Sequence, residues 1–289
     1  MSCLRLFFFG SGKFAKNYFE IIYKDLSNKF KIIAVISDNS KNDYQIPVFQ
    51  NLNVAIQEFG IPDAFICCTD PKKNLVILKQ IIELNKPILI EKPICMLNDL
   101  KYLISLIKKN PEQLIFVNHF HFFDDNFIKI IKSLELTKQY ELRIIDGNKG
   151  PARNFSPILD WGAHSFGIIS YLVSKIKNIK INKIKILNKV NQNHCNLYLS
   201  ISDLENKKLF KILTGNNFNK KVRCIKFFSK TSSEYYSPYQ EKLNSSMHNL
   251  LTSFHLSICK KNYKYQFDTK EISLNSMKLY NLINSIIKD

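Results

Sequence analysis

The chain has 289 residues, 45% of them hydrophobic, and a formal net charge of +18. That length allows one large or two ordinary domains, each with a real core. No stretch approaches the roughly 20 continuous apolar residues of a membrane span, and the apolar part of Met1–Phe9 is too short for a signal peptide, so the sequence reads as cytoplasmic.

The seven cysteines are odd in number and show no CxxC spacing. That excludes a zinc knuckle or a disulfide framework and offers no metal site; small core residues in a reducing compartment are expected. The positive charge comes almost entirely from lysine, since Arg5, Arg143, Arg153 and Arg223 are the only arginines. Readers of nucleic acid lean on the bidentate guanidinium, so specific nucleic-acid binding is disfavoured. A general attraction for anionic ligands, such as phosphorylated or nucleotide-linked substrates, fits the charge.

In chain order, Cys3–Phe9 is a strand-like run, followed by Gly10-Ser11-Gly12-Lys13-Phe14-Ala15 and a helical pattern to about Tyr23. This is a GxGxxA form of the dinucleotide fingerprint. Gly10 permits the tight turn, Gly12 the close approach of a pyrophosphate, and Ala15 the packing of helix on strand. A pyrophosphate then sits on the helix N-terminus, where unbonded N–H groups and the helix dipole favour anions. A second strand, Lys31–Ile36, ends in Ser37-Asp38. An acid here holds the adenosine ribose, and Asp38 is the candidate. Ser37 at the strand end, with Ser40 and Lys41 nearby, is the alternative, a 2′-phosphate site. The choice leans to NAD over NADP and stays open.

Val54–Phe59 predicts a short helix and Ala64–Cys68 a third strand, which Thr69-Asp70-Pro71 leaves as a cofactor-lining turn. Asn74 is expected to open the next helix, to Leu84. Pro87–Ile90 is a fourth strand, ending abruptly on Glu91-Lys92-Pro93. An acid and a base thus leave a buried strand at its carboxyl end, where open α/β sheets place their ligands. Leu100, Leu103, Ile104 and Ile107 mark one helical face, and Leu114–Val117 is a fifth strand. Regular strand–helix alternation over 117 residues predicts a parallel, doubly wound sheet.

Beyond Val117 the pattern changes. Asn118–Phe123 packs two histidines and three phenylalanines into six residues, and Asp124-Asp125 caps a helix through Leu134. Tyr140–Asp146 is strand-like, Gly147–Pro157 is rich in turn formers, and Ile158–Val173 is helical. The runs Ile181–Val190, Asn196–Ile201, Lys208–Leu213 and Val222–Phe228, with only polar turns between them, predict an antiparallel sheet. Helices return over Lys242–Ile258 and Ser273–Ile287. Within the earlier helix, Asp160 and His164 are four residues apart and share a face, an arrangement that can carry acid–base chemistry or can equally be a cap and a core histidine.

Three landmarks now stand in order: Gly10-Ser11-Gly12-Lys13-Phe14-Ala15, Glu91-Lys92-Pro93, and Asp160-x3-His164. With them the chain resembles the Gfo/Idh/MocA oxidoreductases, NAD(P)-dependent dehydrogenases acting mostly on sugars, cyclitols and their derivatives. The resemblance implies a Rossmann domain over residues 1–117. Residues 118–289 then form an α+β substrate-binding and oligomerisation domain with an open, mostly antiparallel sheet, whose C-terminal helix can pack back on the first domain. It implies a homo-oligomer without membrane attachment.

Carried over residue by residue, the resemblance makes Lys92, His164 and Asp160 the catalytic group. Lys92 lies between nicotinamide and substrate, its peptide with Pro93 is cis as in relatives, His164 is the general acid/base, and Asp160 binds substrate and orients it. Gly10, Gly12, Lys13, Phe14, Ser37, Asp38, Thr69, Asp70, Pro71, Asn74, Glu91 and Lys92 are the implied cofactor contacts; His121, Arg153 and Trp161 are the substrate contacts. Hydride removal from a secondary alcohol needs a base for the hydroxyl proton and a cation for the alkoxide charge, and imidazole and ammonium supply them.

The chain departs from the family in places. Asn74 stands where relatives often carry histidine, Asn118–Phe123 lacks an arginine common there, and the chain is shorter than most members. The function expected is hydride transfer to or from a sugar, cyclitol or nucleotide-sugar, the substrate being a small and anionic sugar derivative, with polysaccharide precursor synthesis as a setting. A binding-only regulatory relative is the alternative. It has no need of Lys92, Asp160 and His164 together.

Overall fold

The computed structural model describes residues 3–38, 45–150, 155–176, 179–191, 194–230, 232–237, 243–260 and 267–288. The chain divides into two compact units, Met1–Phe120 with Asn244–Lys270, and His121–Leu243 with Glu271–Asp289. The change-over lies at residue 120, three beyond the expected boundary, and a later segment returns to the first unit.

In the first unit, strands β1 (Leu4–Phe9), β2 (Phe30–Ile36), β3 (Val48–Phe49), β4 (Ala64–Cys67), β5 (Ile88–Ile90) and β6 (Ile115–Val117) form one sheet in the order β3-β2-β1-β4-β5-β6. Every pairing is parallel. Helices α1 (Ala15–Asp25), α2 (Leu52–Phe59), α3 (Pro71–Ile82) and α4 (Leu100–Lys109) connect the strands. The strands read as apolar runs because they are covered on both faces: Phe7, Phe8, Phe65, Ile88 and Leu89 are fully buried. This is the doubly wound order whose ligand crevice opens where the strand order reverses, between β1 and β4.

Helix α3 starts at Pro71, three residues before the expected opening at Asn74. Asp70 caps it by accepting the Lys72 N–H at 2.9 Å, and proline suits a first turn whose N–H is unused. The two-residue β3 carried no sequence signal. It exists because β2 offers an edge: Ser37 N–H donates to Phe49 O at 2.9 Å.

The helix that returns to this unit is α7 (Leu243–Cys259), with Phe254 against Phe116 at 5.4 Å and His255 against Phe30 at 5.3 Å between ring centroids.

In the second unit, α5 (Asp125–Leu136) is capped by Asp124, which accepts from the N–H groups of Asn126 and Phe127. Strands β7 (Tyr140–Lys149), β8 (Ile179–Asn191), β9 (His194–Asp203), β10 (Lys208–Gly215), β11 (Asn217–Ser229) and β12 (Ser233–Tyr236) form a second six-stranded sheet, in the order β12-β11-β7-β10-β9-β8. It is antiparallel except where β7 and β10 run parallel at its centre.

Alternation sets the two faces. Leu142, Ile144, Phe210, Ile212, Leu199 and Ile225 are buried beneath α6 (Pro157–Val173), while Arg143 and Lys226 point the other way and are exposed. The turn formers expected from Gly147 onward instead continue β7 to Lys149, paired with Gly215 and Asn217. The ring of Phe218 lies where a side chain on Gly147 would be, 2.2 Å from its Cβ position, so only glycine fits. The last helix, α8 (Thr269–Lys288), packs on α6 through Tyr280, stacked on Phe166, and Ser276, whose hydroxyl donates to Ala163 O at 3.1 Å.

Candidate active site

In the first unit the backbone beyond each strand end stays in line. Gly10 N–H donates to Ile36 O, Cys68 N–H to Phe9 O, Glu91 N–H to Cys67 O and Asn118 N–H to Ile90 O, all at 2.8–2.9 Å. Gly10, Thr69 and Lys92 therefore leave one carboxyl edge. Gly10 has a φ of +96°, and an added Cβ would lie 2.3 Å from the Cys68 carbonyl oxygen. The reversal point is thus closed tightly enough that only glycine passes. A Cβ at Gly12 would meet nothing within 4 Å. Its backbone faces open space.

That space is a cavity of about 840 Å³, lined by Gly10, Ser11, Gly12, Ser37, Asp38 and Thr69 among others. Its size, its bare glycine backbone and the start of α1 beside it fit a dinucleotide, which Gly12, Ser37 and Asp38 would help to hold. The hydroxyls of Ser11 and Ser37 share a hydrogen bond of 2.8 Å, and Asp38 pairs with Lys73. Lys13 and Phe14 lie in the exposed turn before α1 and are not among the cavity's lining residues.

Sequence reasoning missed one side of the cavity. Gln50, Asn51 and Asn53 at the start of α2, and Lys72, Lys73, Val76 and Gln80 along α3, also line it. The only available signal was the spacing of 73, 76, 77 and 80 on one helical face, which is meaningless until the strand order is known.

Asp70, Pro71, Asn74 and Glu91 are not among the cavity's lining residues. Asp70 and Pro71 form the start of α3. Asn74 is fully buried: its Nδ2 donates to the carbonyls of Glu91 and Pro93 at 3.2 and 3.1 Å, and its Oδ1 accepts from the Thr69 hydroxyl at 2.6 Å. These bonds hold the loop that carries Lys92, whose peptide with Pro93 is cis. Glu91 turns inward. Its Oε1 accepts from Tyr18 Oη at 2.6 Å and Asn118 Nδ2 at 2.5 Å. Burial raises the Glu91 carboxyl above its ordinary range, against the opposite pull of the Tyr18 and Asn118 hydrogen bonds and the Lys92 charge. Burial likewise pushes up the thiols of Cys67 and Cys68, with the Glu91 charge adding to the rise at Cys68.

In the second unit, Asp160 and His164 stand one turn apart on α6, Asp160 half-buried and His164 only 3% exposed. The ring of His121 lies 4.7 Å from that of His164, nearly perpendicular to it, with Phe127 and Tyr236 on its other sides. Trp161 is half-buried, with the Arg223 guanidinium 5.9 Å from its ring. Arg223 Nε donates to Asp146 Oδ1 at 2.8 Å, an ion pair buried beside α6. Arg153 lies outside the described residues.

Residues 4–119 match the model of an oxidoreductase family with an NAD-binding Rossmann fold, GFO_IDH_MocA. No curated protein matches the chain in sequence. Among solved structures, it is similar to a myo-inositol 2-dehydrogenase from Lactobacillus plantarum, with a TM-score of 0.81 and 11% identity over 98% of this chain and 96% of that one. It is also similar to the dehydrogenase MviM from Clostridium difficile, with a TM-score of 0.75 and 14% identity over 99% of each chain. A scyllo-inositol dehydrogenase from Lactobacillus casei has a TM-score of 0.76 and 14% identity over 98% of this chain and 96% of that one. At such identities the likeness carries the fold. With the family model matched and the glycine cradle formed, the chain carries the NAD-binding domain of the Gfo/Idh/MocA oxidoreductases, and is an enzyme of the dehydrogenase and reductase class.

Proposed function

We propose that this protein transfers hydride between a nicotinamide cofactor and a secondary alcohol or ketone of a sugar or cyclitol, with Lys92, Asp160 and His164 as its chemical groups. The observation that supports the reading is that the backbone leaves one sheet edge at Gly10, Thr69 and Lys92, the first two lining the cavity. The bound nicotinamide supplies the hydride acceptor or donor. Lys92 stabilises alkoxide charge as the carbonyl forms or is reduced. His164 takes or returns the hydroxyl proton, with Asp160 one turn away to bind and orient the substrate. His121, in ring contact with His164, and Trp161 are the further substrate contacts.

Asp38 at the end of β2, lining the cavity, favours NAD, because a carboxylate there accepts from the ribose hydroxyls. The excess of lysine supports an anionic substrate, a nucleotide-linked sugar of polysaccharide synthesis included. The open face of the second sheet supports self-association.

The test is dinucleotide titration followed by turnover with inositols, free sugars and sugar nucleotides. His164→Asn should lower turnover by roughly 10²–10⁴-fold, the usual worth of a positioned acid/base, with dinucleotide affinity retained. Normal turnover by that variant would remove His164 from the mechanism. Dinucleotide binding without turnover on any member of the panel would favour a regulatory role instead.

A further inference from the structure

The strand order β2-β1-β4 puts the ends of β2 and β4 on either side of the turn at Gly10 and Gly12. Asp38 follows the first of these ends, and α3 follows the second. Lys73, on the first turn of α3, forms an ion pair with Asp38. The pair therefore links the two flanks of the crevice. Both side chains are exposed, and both residues line the cavity. The charged residues of that lining are Asp38, Lys72 and Lys73, so two cations stand against one carboxylate. The amide side chains there, Gln50, Asn51, Asn53 and Gln80, carry no charge. Discrimination by charge falls to Asp38 and the two lysines.

An acid after the second strand sorts dinucleotides by the group on the adenosine ribose. It accepts from a 2′-hydroxyl and repels a 2′-phosphate, and a nearby cation offsets that repulsion. Here the cation comes from α3, where no signal in the β2 segment would reveal it.

We infer that Lys73 is a specificity-determining residue of this cavity: paired with Asp38, it removes the charge barrier to a 2′-phosphate, so that the protein takes NADPH as well as NADH. This rests on the dinucleotide reading of the cavity given above, and it leaves Asp38 as an acceptor for the ribose hydroxyls of NAD.

The exposure of the pair suits that task. An ion pair in water is weak, so the ammonium can turn from the carboxylate to a ligand at small cost. A phosphate monoester, with about two negative charges and three acceptor oxygens, competes for the ammonium better than one carboxylate does. Lys72, one residue before, adds a second positive charge to the same lining.

Equilibrium binding of NADH and NADPH to the full-length protein, followed by the fluorescence of the reduced nicotinamide, tests this without turnover. Wild type should bind both, with dissociation constants within about tenfold of each other. Lys73→Met should raise the ratio of the NADPH constant to the NADH constant by about tenfold, and Lys73→Arg should keep it near the wild-type value. In wild type the NADPH constant should climb more steeply with salt than the NADH constant, and Lys73→Met should shrink that difference. A wild-type protein that binds NADH and rejects NADPH by more than about a hundredfold overturns the inference. So does a ratio that Lys73→Met leaves unchanged, because a merely structural lysine would weaken both dinucleotides alike. Wild type that binds neither would remove the cavity's assignment and this inference with it. Binding of both without turnover on any substrate would end the hydride-transfer reading and leave this one standing.

Discussion

Asn74 holds the backbone of Glu91: its side-chain amide, on the first turn of α3, donates to the Glu91 carbonyl at 3.2 Å and, with its second hydrogen, to the Pro93 carbonyl at 3.1 Å. Lys92 thus sits between two carbonyls tied to one buried side chain. Asn74→Leu removes both donors and the acceptor of the Thr69 hydroxyl. A buried polar group left unsatisfied costs about 1–3 kcal/mol, so the urea midpoint should fall accordingly. Turnover should fall as well, since Lys92 loses its anchorage. Asn74→Leu with wild-type stability would show the hydrogen bonds to be incidental.

The two glycines of the cradle should separate folding from binding. Gly10→Ala puts a Cβ 2.3 Å from a backbone oxygen at a φ of +96°, so strain of about 1–3 kcal/mol is expected, with loss of dinucleotide binding. Gly12→Ala meets no protein atom, so its melting temperature should match wild type while its cofactor Kd rises by about tenfold, equivalent to ~1.4 kcal/mol. Thermal melts with and without NADH distinguish the two. A destabilised Gly12→Ala that binds normally would contradict the assignment of the cradle.

Glu91 predicts a pH dependence. Its carboxyl is raised from 4.5 in the folded protein, chiefly by burial. Between 4.5 and its folded value the native protein binds more protons than the unfolded chain. Its contribution to stability is therefore present at low pH and lost as pH rises through that window. Gln at this position still accepts from Tyr18 and Asn118 but does not titrate. The stability of Glu91→Gln relative to wild type should therefore climb with pH and then level off, measured by denaturant melts from pH 4 to 8. Parallel curves would mean that the carboxyl is not perturbed.

The buried ion pair of the second unit offers a separate check. Arg223→Met leaves Asp146 buried without its guanidinium, and such a break costs about 3–5 kcal/mol. Adding Asp146→Leu should recover most of that loss, because an apolar pair no longer strands a charge. A double variant no more stable than Arg223→Met would argue against direct coupling.

Local signals in the sequence read well because they depend on near neighbours. The glycines after β1, the Asp124 cap and the alternation along β9 and β11 need only a few adjacent residues to show themselves. Where a local rule was misapplied, at Asn74, the overlooked cap was itself local: Asp70 followed by proline. Landmark order was enough to name the family and to choose Lys92, Asp160 and His164 as candidates. It also placed Gly10, Thr69 and Glu91 at one sheet edge, which the strand register bears out.

Pairing decided the rest. Lys73 reaches Asp38 across 35 positions of sequence, and Asn118 reaches Tyr18 across 100. Neither partner could be read from its neighbours, because strand order and register alone bring them together. The same is true of the α3 face on the cavity, of the parallel junction between β7 and β10, and of β3 and β12, whose short runs become strands only against a waiting edge. Local sequence was enough for the longer helices and strands and for the parallel and antiparallel classes of the two sheets. Which side chains line the cavity, and that Asn74 reaches the Glu91 and Pro93 carbonyls, follow from tertiary structure, since backbone pairing between distant segments sets those distances.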